Sequence, residues 1–423
     1  MHNLILKNFL KQKNKLKGGN YNISDIYLYD LLSNKNIHDS QKIKGFILNL
    51  FLNFFSFITI IKCKTLGVKK VNYIVATENN PTKLDFRSKK ILNNIKLSES
   101  LNLIRNKGFI SSIILYFKYP NVIFYSGIES FFINFKEKKN FTLVERYLEY
   151  HKILLKIQVF FEKLFLFLFV KKILMIDDQR IYPLFLDIAR RNQIETYGYM
   201  HYKFSKYVVS TYNYEFDNIL VWSDYFKKKL IKINPKYKNK NFYYSSIVTK
   251  KNEIFNTKKR GLLYIFDLDF DFKVFKKIND CLDKSKYKLF LKFKPQNHIN
   301  NEYQKFCNHN NIIFFKNENL DYILNNYEIS FFVAPISSLL LESTLYNCVP
   351  IKIKTANDFF DDTISDKVVK VLNPNKISKI NQFLDNIIKN RHQIINTINK
   401  KVWSVNEINI NKNIENFCKK FNS

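Results

Sequence analysis

Glycine and proline are scarce, with 8 of each in 423 residues. That excludes a Gly/Pro-rich linker, a collagen-like chain and a glycine loop of the GxGxxG or GxxxxGKS type for phosphate. Cysteine is sparse and scattered: Cys63, Cys281, Cys307, Cys348 and Cys418 form no CxxC pair and have no histidine at ligand spacing. Such an odd count, without a signal peptide, points to reduced thiols in a cytoplasmic protein and away from structural zinc. Residues 1–19 are polar and lysine-rich, with none of the uninterrupted apolar core a secretory signal requires. Acidic residues are also short, 36 against 69 Lys+Arg, which leaves a net charge of +33.

What is present describes a globular chain. Hydrophobic residues make up 46% and charged residues 25%, which excludes a disordered protein, and the length suits two or three domains. Much of the positive charge is lysine, in a chain rich in Asn, Ile, Phe and Tyr. These residues share A/T-rich codons, so part of the excess follows gene composition. The remainder implies attraction to anions: lipid headgroups, nucleotide phosphates or nucleic acid.

A bilayer span needs ~20 consecutive apolar residues, and no stretch supplies them. Residues 46–61 come nearest, but Asn49, Asn53, Ser56 and Thr59 interrupt them at helical spacing, forming one polar stripe. Lys42 and Lys44 precede the stretch and Lys62 and Lys64 follow it. The pattern fits a helix lying at a membrane surface and equally a buried helix of the first domain. A second run, residues 164–170, sits between Lys163 and Lys171 and is read as core or interdomain packing.

From residue 71 onward short apolar runs alternate with helical patterns. Strands are expected at 71–77, 121–125, 173–176, 196–201 and 218–221, with helices at 92–106, 141–172, 183–192 and 224–233. After a polar, lysine-rich stretch the alternation resumes. The second set of strands is at 262–266, 287–293, 312–315, 329–333, 349–353 and 368–371, with helices at 272–284, 302–309, 320–327 and 338–346. Alternation of this kind implies parallel sheets with helices on both faces. The expected architecture is α/β: two Rossmann-like, doubly wound domains facing across a cleft. They are placed at 1–240 and 261–376, with a connection at 241–260 and a C-terminal helical segment, 377–423, returning across the interface.

In open α/β sheets ligands bind beyond the carboxyl ends of the strands. Four loops there carry chemistry. Pro335-Ile336-Ser337-Ser338 precedes a helix on which Glu342 lies one turn beyond Ser338. A serine-capped helix start offers amides and hydroxyls to phosphate, and Glu342 can accept from ribose hydroxyls; a plain cap with a first-turn carboxylate has the same pattern. Lys292-Phe293-Lys294-Pro295 ends a strand and aims ammonium groups at the same edge. Gly198-Tyr199-Met200-His201 places a histidine where it can take a proton from a hydroxyl, or serve as a structural hydrogen-bonding group. Asp177-Asp178 follows another strand, as a coupled carboxylate pair or a helix cap. The overlapping DxD triplets of residues 267–271 resemble a divalent-cation motif, but they open the second domain, and no metal is expected there.

In this order the loops resemble those of the two-domain GT-B glycosyltransferases of bacterial surface-polysaccharide synthesis, of the Kdo-transferase and bacterial sialyltransferase type. Those families show an Asp-ended strand, a Q-H-G-like segment, K-x-H-P, and S-S-x-x-x-E ahead of G-x-P. The counterparts are Asp177-Asp178, Met200-His201-Tyr202, Lys292 to Pro295, and Ser337-Ser338 to Glu342 with Asn347-Cys348-Val349-Pro350. Lys294 stands in place of the histidine, and Asn347-Cys348 in place of a small glycine turn.

The resemblance implies transfer of a sugar from a nucleotide-activated donor, CMP-linked in some relatives, to a surface-polysaccharide or lipid-linked acceptor. Lys292, Lys294, Ser337, Ser338 and Glu342 would hold the nucleotide, and His201, Asp177 or Asp178 would act as base. No cofactor or metal is implied, and the place of work is the cytoplasm, peripheral at the inner face of the membrane. The same motifs occur in enzymes that transfer glycerol phosphate or ribitol phosphate from CDP-alditols. A nucleic-acid-binding protein is a third reading, but lysine is spread along the chain and no short RNA- or DNA-binding motif occurs, so no nucleic-acid partner is expected.

Overall fold

The computed structural model describes residues 43–65, 72–76, 91–95, 100–104, 109–118, 121–125, 127–128, 143–175, 182–199, 215–245, 260–266, 270–293, 301–316, 318–355, 358, 362–403 and 407–423. Two wholly parallel sheets organise them. The first holds β1 (Asn72–Ala76), β2 (Ser100–Ile104), β3 (Val122–Phe124), β4 (Lys172–Met175), β5 (Glu195–Tyr199), β6 (Asn218–Val221) and β7 (Asn241–Tyr244), in the order β3-β2-β1-β4-β5-β6-β7. The second holds β8 (Arg260–Phe266), β9 (Tyr287–Phe293), β10 (Ile313–Phe315), β11 (Ile329–Ala334), β12 (Val349–Ile353) and β13 (Lys370–Leu372), in the order β10-β9-β8-β11-β12-β13. Each is doubly wound, reversing between β1 and β4 and between β8 and β11. Strand β7 joins the first sheet from within the stretch expected to be connection.

The helices follow their apolar periodicity. They are α1 (Ile43–Thr65), α2 (Phe109–Lys118), α3 (Leu143–Phe167), α4 (Tyr182–Arg191), α5 (Asp224–Ile233), α6 (Phe272–Cys281), α7 (Asn301–His309), α8 (Leu320–Asn326), α9 (Leu339–Glu342), α10 (Ile380–Lys389), α11 (Arg391–Val402) and α12 (Glu407–Asn422). Asp271 caps α6 by accepting from the amides of Lys273 and Val274, and Asn319 caps α8 through the amide of Tyr322.

Two expected helices are corrected. Within 92–106 the chain forms β2, buried at every position between β1 and β3, so its apolar residues report a strand covered on both faces. The C-terminal helical segment, 377–423, is not one helix: it breaks at Asn390, whose amide turns back to the carbonyls of Ile387 and Ile388, giving α10 and α11, with α12 following.

The two sheets share apolar packing. Trp403, just after α11, stacks on Trp222, just after β6, with centroids 6.2 Å apart. Its indole N–H donates to the Leu341 carbonyl and the Thr344 hydroxyl, both at 3.2 Å. Beside it Ser223 donates to the Val402 carbonyl, and Lys229 pairs with Asp362 at 3.2 Å and Asp366 at 2.9 Å. The chain then crosses back: α12 packs Phe417 and Phe421 against Tyr197 of the first sheet, and the Lys420 carbonyl accepts from Tyr197 and Lys172.

Trp403→Ala should cost about 3–5 kcal/mol, the range for truncating a buried large aromatic, as read by urea unfolding. The five cysteines are free thiols, and all but Cys281 are buried. Burial pushes Cys348 and Cys418 up to about 12 and Cys307 up to about 11. A thiol reagent should therefore modify Cys281 alone in the native protein and all five after denaturation.

Candidate functional site

The reversal of strand order in each sheet opens a crevice at the carboxyl ends of the strands on either side. In the second sheet those strands are β8 and β11. Register places Tyr264 of β8 beside both Val333 of β11 and Leu291 of β9, so the loops after β9 and β11 leave the same edge, separated by one strand or about 10 Å. In the first sheet the corresponding strands are β1 and β4. Strand β4 ends at Met175, and neighbouring β5 ends at Tyr199.

Lys292, Ser337, Ser338 and Glu342 are among the described residues, whereas His201, Asp177, Asp178 and Lys294 lie outside them. The backbone still fixes where the chain enters those stretches: the Asp177-Asp178 segment is reached from the end of β4 and the His201 segment from the end of β5. At Gly198 in β5 a Cβ would come within 2.5 Å of the Phe216 ring, so glycine permits the close approach that seats this strand.

Lys292 is half-buried at the end of β9, with its ammonium donating to the Phe293 carbonyl at 2.8 Å. Burial lowers its pKa, opposed by the charge of Glu318.

The loop after β11 differs in detail from its sequence pattern. Ser337 is the capping residue: it is buried, and its hydroxyl accepts from the Leu339 amide at 3.3 Å. Ser338 already has helical φ and ψ and makes no side-chain cap, so its hydroxyl is not committed to the helix end. The helix itself is one turn, α9, continued as a 3₁₀ turn at Ser343–Tyr346. So short an element has little macrodipole, and hydroxyls and lysines must carry the recognition of an anion. Glu342 is buried in the same turn. After it Asn347 adopts a left-handed conformation with φ 56°. Asparagine tolerates that conformation better than other residues with side chains, so it performs the turn that a glycine would make.

Lys352 was missed from sequence, where it reads as one more lysine. It is fully buried on β12, opposite Ala334 of β11, and its ammonium donates to the Pro335 carbonyl and pairs with Asp358 at 3.2 Å. It thereby ties the start of the serine loop to the neighbouring strand. Its only sequence signal is a position inside an apolar strand, VPIKI.

Of the DxD acids, Asp267 and Asp269 lie outside the described residues, and Asp271 is committed as the α6 cap. Among the described residues no group of His, Cys, Asp and Glu is arranged to hold a metal. A cavity of about 360 Å³ opens at the opposite, amino end of the first sheet. Its charges are already paired, Lys240 with Asp217 at 2.9 Å and Glu215 at 3.0 Å, and Arg190 with Asp187 at 3.1 Å. We place the candidate site at the strand ends, where topology and residue type agree.

No family profile matches the chain, and no curated protein matches it in sequence. Among solved structures it is similar to UGT89C1 of Arabidopsis thaliana complexed with UDP-L-rhamnose, with TM-score 0.52 and 9% identity over 83% of this chain and 99% of that one. It is also similar to MurG of Acinetobacter baumannii, with TM-score 0.49 and 10% identity over 83% and 99%. The first likeness shows the fold: two Rossmann-like domains of the GT-B type.

Lys352→Met should destabilise the protein by up to roughly 3–5 kcal/mol, because it removes the ion-pair partner of the largely buried Asp358 carboxylate. Lys352→Met/Asp358→Leu should recover much of that loss by removing both charges. Urea unfolding of the two variants checks this.

Proposed function

We propose that the protein is a glycosyltransferase that moves a sugar from a nucleotide-activated donor to a surface-polysaccharide or lipid-linked acceptor, at the inner face of the cytoplasmic membrane. The observation that carries the reading is topological. The loops bearing the candidate residues leave the carboxyl ends of two doubly wound sheets at or beside their switch points, in a GT-B fold. A relative with this fold is seen with UDP-L-rhamnose.

The chemistry follows from residue types. When the bond from anomeric carbon to phosphate oxygen breaks, negative charge grows on the leaving diphosphate or monophosphate. Lys292 and Lys294 neutralise it, and the uncommitted Ser338 hydroxyl donates to it. Glu342 orients the nucleotide ribose. His201, or a member of the Asp177-Asp178 pair, takes the proton of the acceptor hydroxyl as that oxygen bonds to the anomeric carbon. Charge neutralisation is assigned to lysines, so turnover should survive EDTA. We take the donor to be CMP-linked, as the sequence resemblance implies, or UDP-linked, as in the fold neighbour seen with UDP-L-rhamnose. Release of CMP on adding CDP-glycerol, with no sugar transferred, would instead mark an alditol-phosphate transferase.

A thermal-shift panel of CMP, CDP, UDP and GDP identifies the nucleotide, since a ligand bound only by the native state raises Tm. Ser338→Ala and Lys294→Ala should each weaken its binding about tenfold or more, the loss of one hydrogen bond to a charged partner at about 1.5–3 kcal/mol. His201→Ala should leave nucleotide affinity nearly unchanged and lower turnover. Absence of any nucleotide shift, or equal small effects from all three variants by calorimetric titration, would overturn the reading.

A further inference from the structure

Helix α1 is oriented against its composition. Its polar stripe faces inward: Ser56 and Thr59 are buried beside Leu52 and Cys63. The cause is the open edge of β3. The Ser56 hydroxyl donates to the Leu52 carbonyl at 2.7 Å and accepts from the Phe124 amide at 3.0 Å, supplying an edge strand with a partner it otherwise lacks. The apolar face is thereby turned outward, with Phe54 and Phe57 each 61% exposed and Ile61 beside them.

This face continues onto two further helices. On α2, Ile110 at 73% and Phe117 at 79% are exposed on one stripe with Ile114. Ring contacts run from Phe54 through Phe55 and Tyr116 to Phe117 without a gap. At the far end of α1 the Lys64 ammonium lies over the rings of Phe167 and Phe169, at 4.4 and 5.3 Å. Phe169 closes α3 in a left-handed conformation, φ 54°, with the Val170 amide returning to the Phe165 carbonyl. That conformation is unfavourable for a residue with a Cβ, yet a phenylalanine stands there and is 60% exposed.

Charge decides the occupant. Neither α1 nor α2 contains an acidic residue, Lys62 and Lys64 are exposed in the last turn of α1, and Lys163 and Lys171 are exposed on either side of the end of α3. Among the described residues no helix is long and apolar enough to cross a membrane. We infer that the combined face of α1, α2 and the end of α3 is a docking surface for an anionic lipid bilayer, with the aromatic rings at the acyl boundary and the lysines at the headgroups. This deepens the placement at a membrane proposed above and does not use the nucleotide site.

The test is flotation of the full chain, without nucleotide, on vesicles of phosphatidylcholine alone or mixed with phosphatidylglycerol. The wild type should float with the mixed vesicles, less with the neutral ones, and less again as salt rises. Phe54→Ser/Phe57→Ser/Phe117→Ser should lower partitioning at least about tenfold with Tm preserved, since these rings are outside the core. Lys62→Glu/Lys64→Glu should abolish the preference for anionic vesicles, and it keeps the test available if the triple variant misfolds. A wild type that stays in the aqueous phase with both vesicle types overturns the inference. So does a triple variant that floats normally but changes from dimer to monomer by light scattering, because a second copy would then be the occupant. Nucleotide shifts measured on the same preparations keep a failure here distinct from a failure of the transferase reading.

Discussion

The buried stack of Trp222 and Trp403 is the contact on which the two-sheet arrangement depends. Trp403 follows the last helix of the second domain, and its ring lies on a residue that follows a strand of the first. Its N–H is shared between Leu341 and Thr344, which flank Glu342 in the turn after the serine loop. The element that supports the candidate donor site is therefore anchored at the domain boundary. Separating the rings would expose two large aromatics to water, so this stack resists parting of the two sheets.

Burial of polar groups follows the same logic elsewhere. Lys352 is tolerated inside the second sheet because the Pro335 carbonyl and Asp358 meet its ammonium. Ser56 is drawn inward because the amide of Phe124 at a sheet edge needs an acceptor. In both cases an unsatisfied backbone or charged group costs more than the side chain's lost hydration, and the surrounding apolar residues adjust. For α1 the adjustment turns phenylalanines outward beside a lysine-rich surface, so completing a sheet edge on one face leaves an adhesive surface on the other.

Much of the architecture was legible in the sequence. Alternating apolar runs and amphipathic helices marked most of the strands of both sheets, and the loops after β4, β5, β9 and β11 could be named as the chemistry-bearing ones from their place after a strand. Periodicity carries this information because it records which residues are buried, and parallel strands under helices are buried on both faces. It failed at residues 100–104, read as part of a helix although Leu101 and Leu103 alternate with Ser100 and Asn102 as a strand does; β1 and β3 pair with this segment on either side, and the strand prevails because its backbone groups are then satisfied on both sides.

The sequence by itself thus determined the α/β class, the two-unit order and the residue types at the strand ends. Tertiary structure alone decided that Ser337 and not Ser338 caps α9, that the helix after them lasts one turn, and that Lys352 is buried behind the loop. It also decided that the polar side of α1 faces the protein. Each of these depends on a partner distant in sequence or on backbone conformation at a single residue. A linear pattern states how much of a residue is covered, whereas only the packed chain states what covers it.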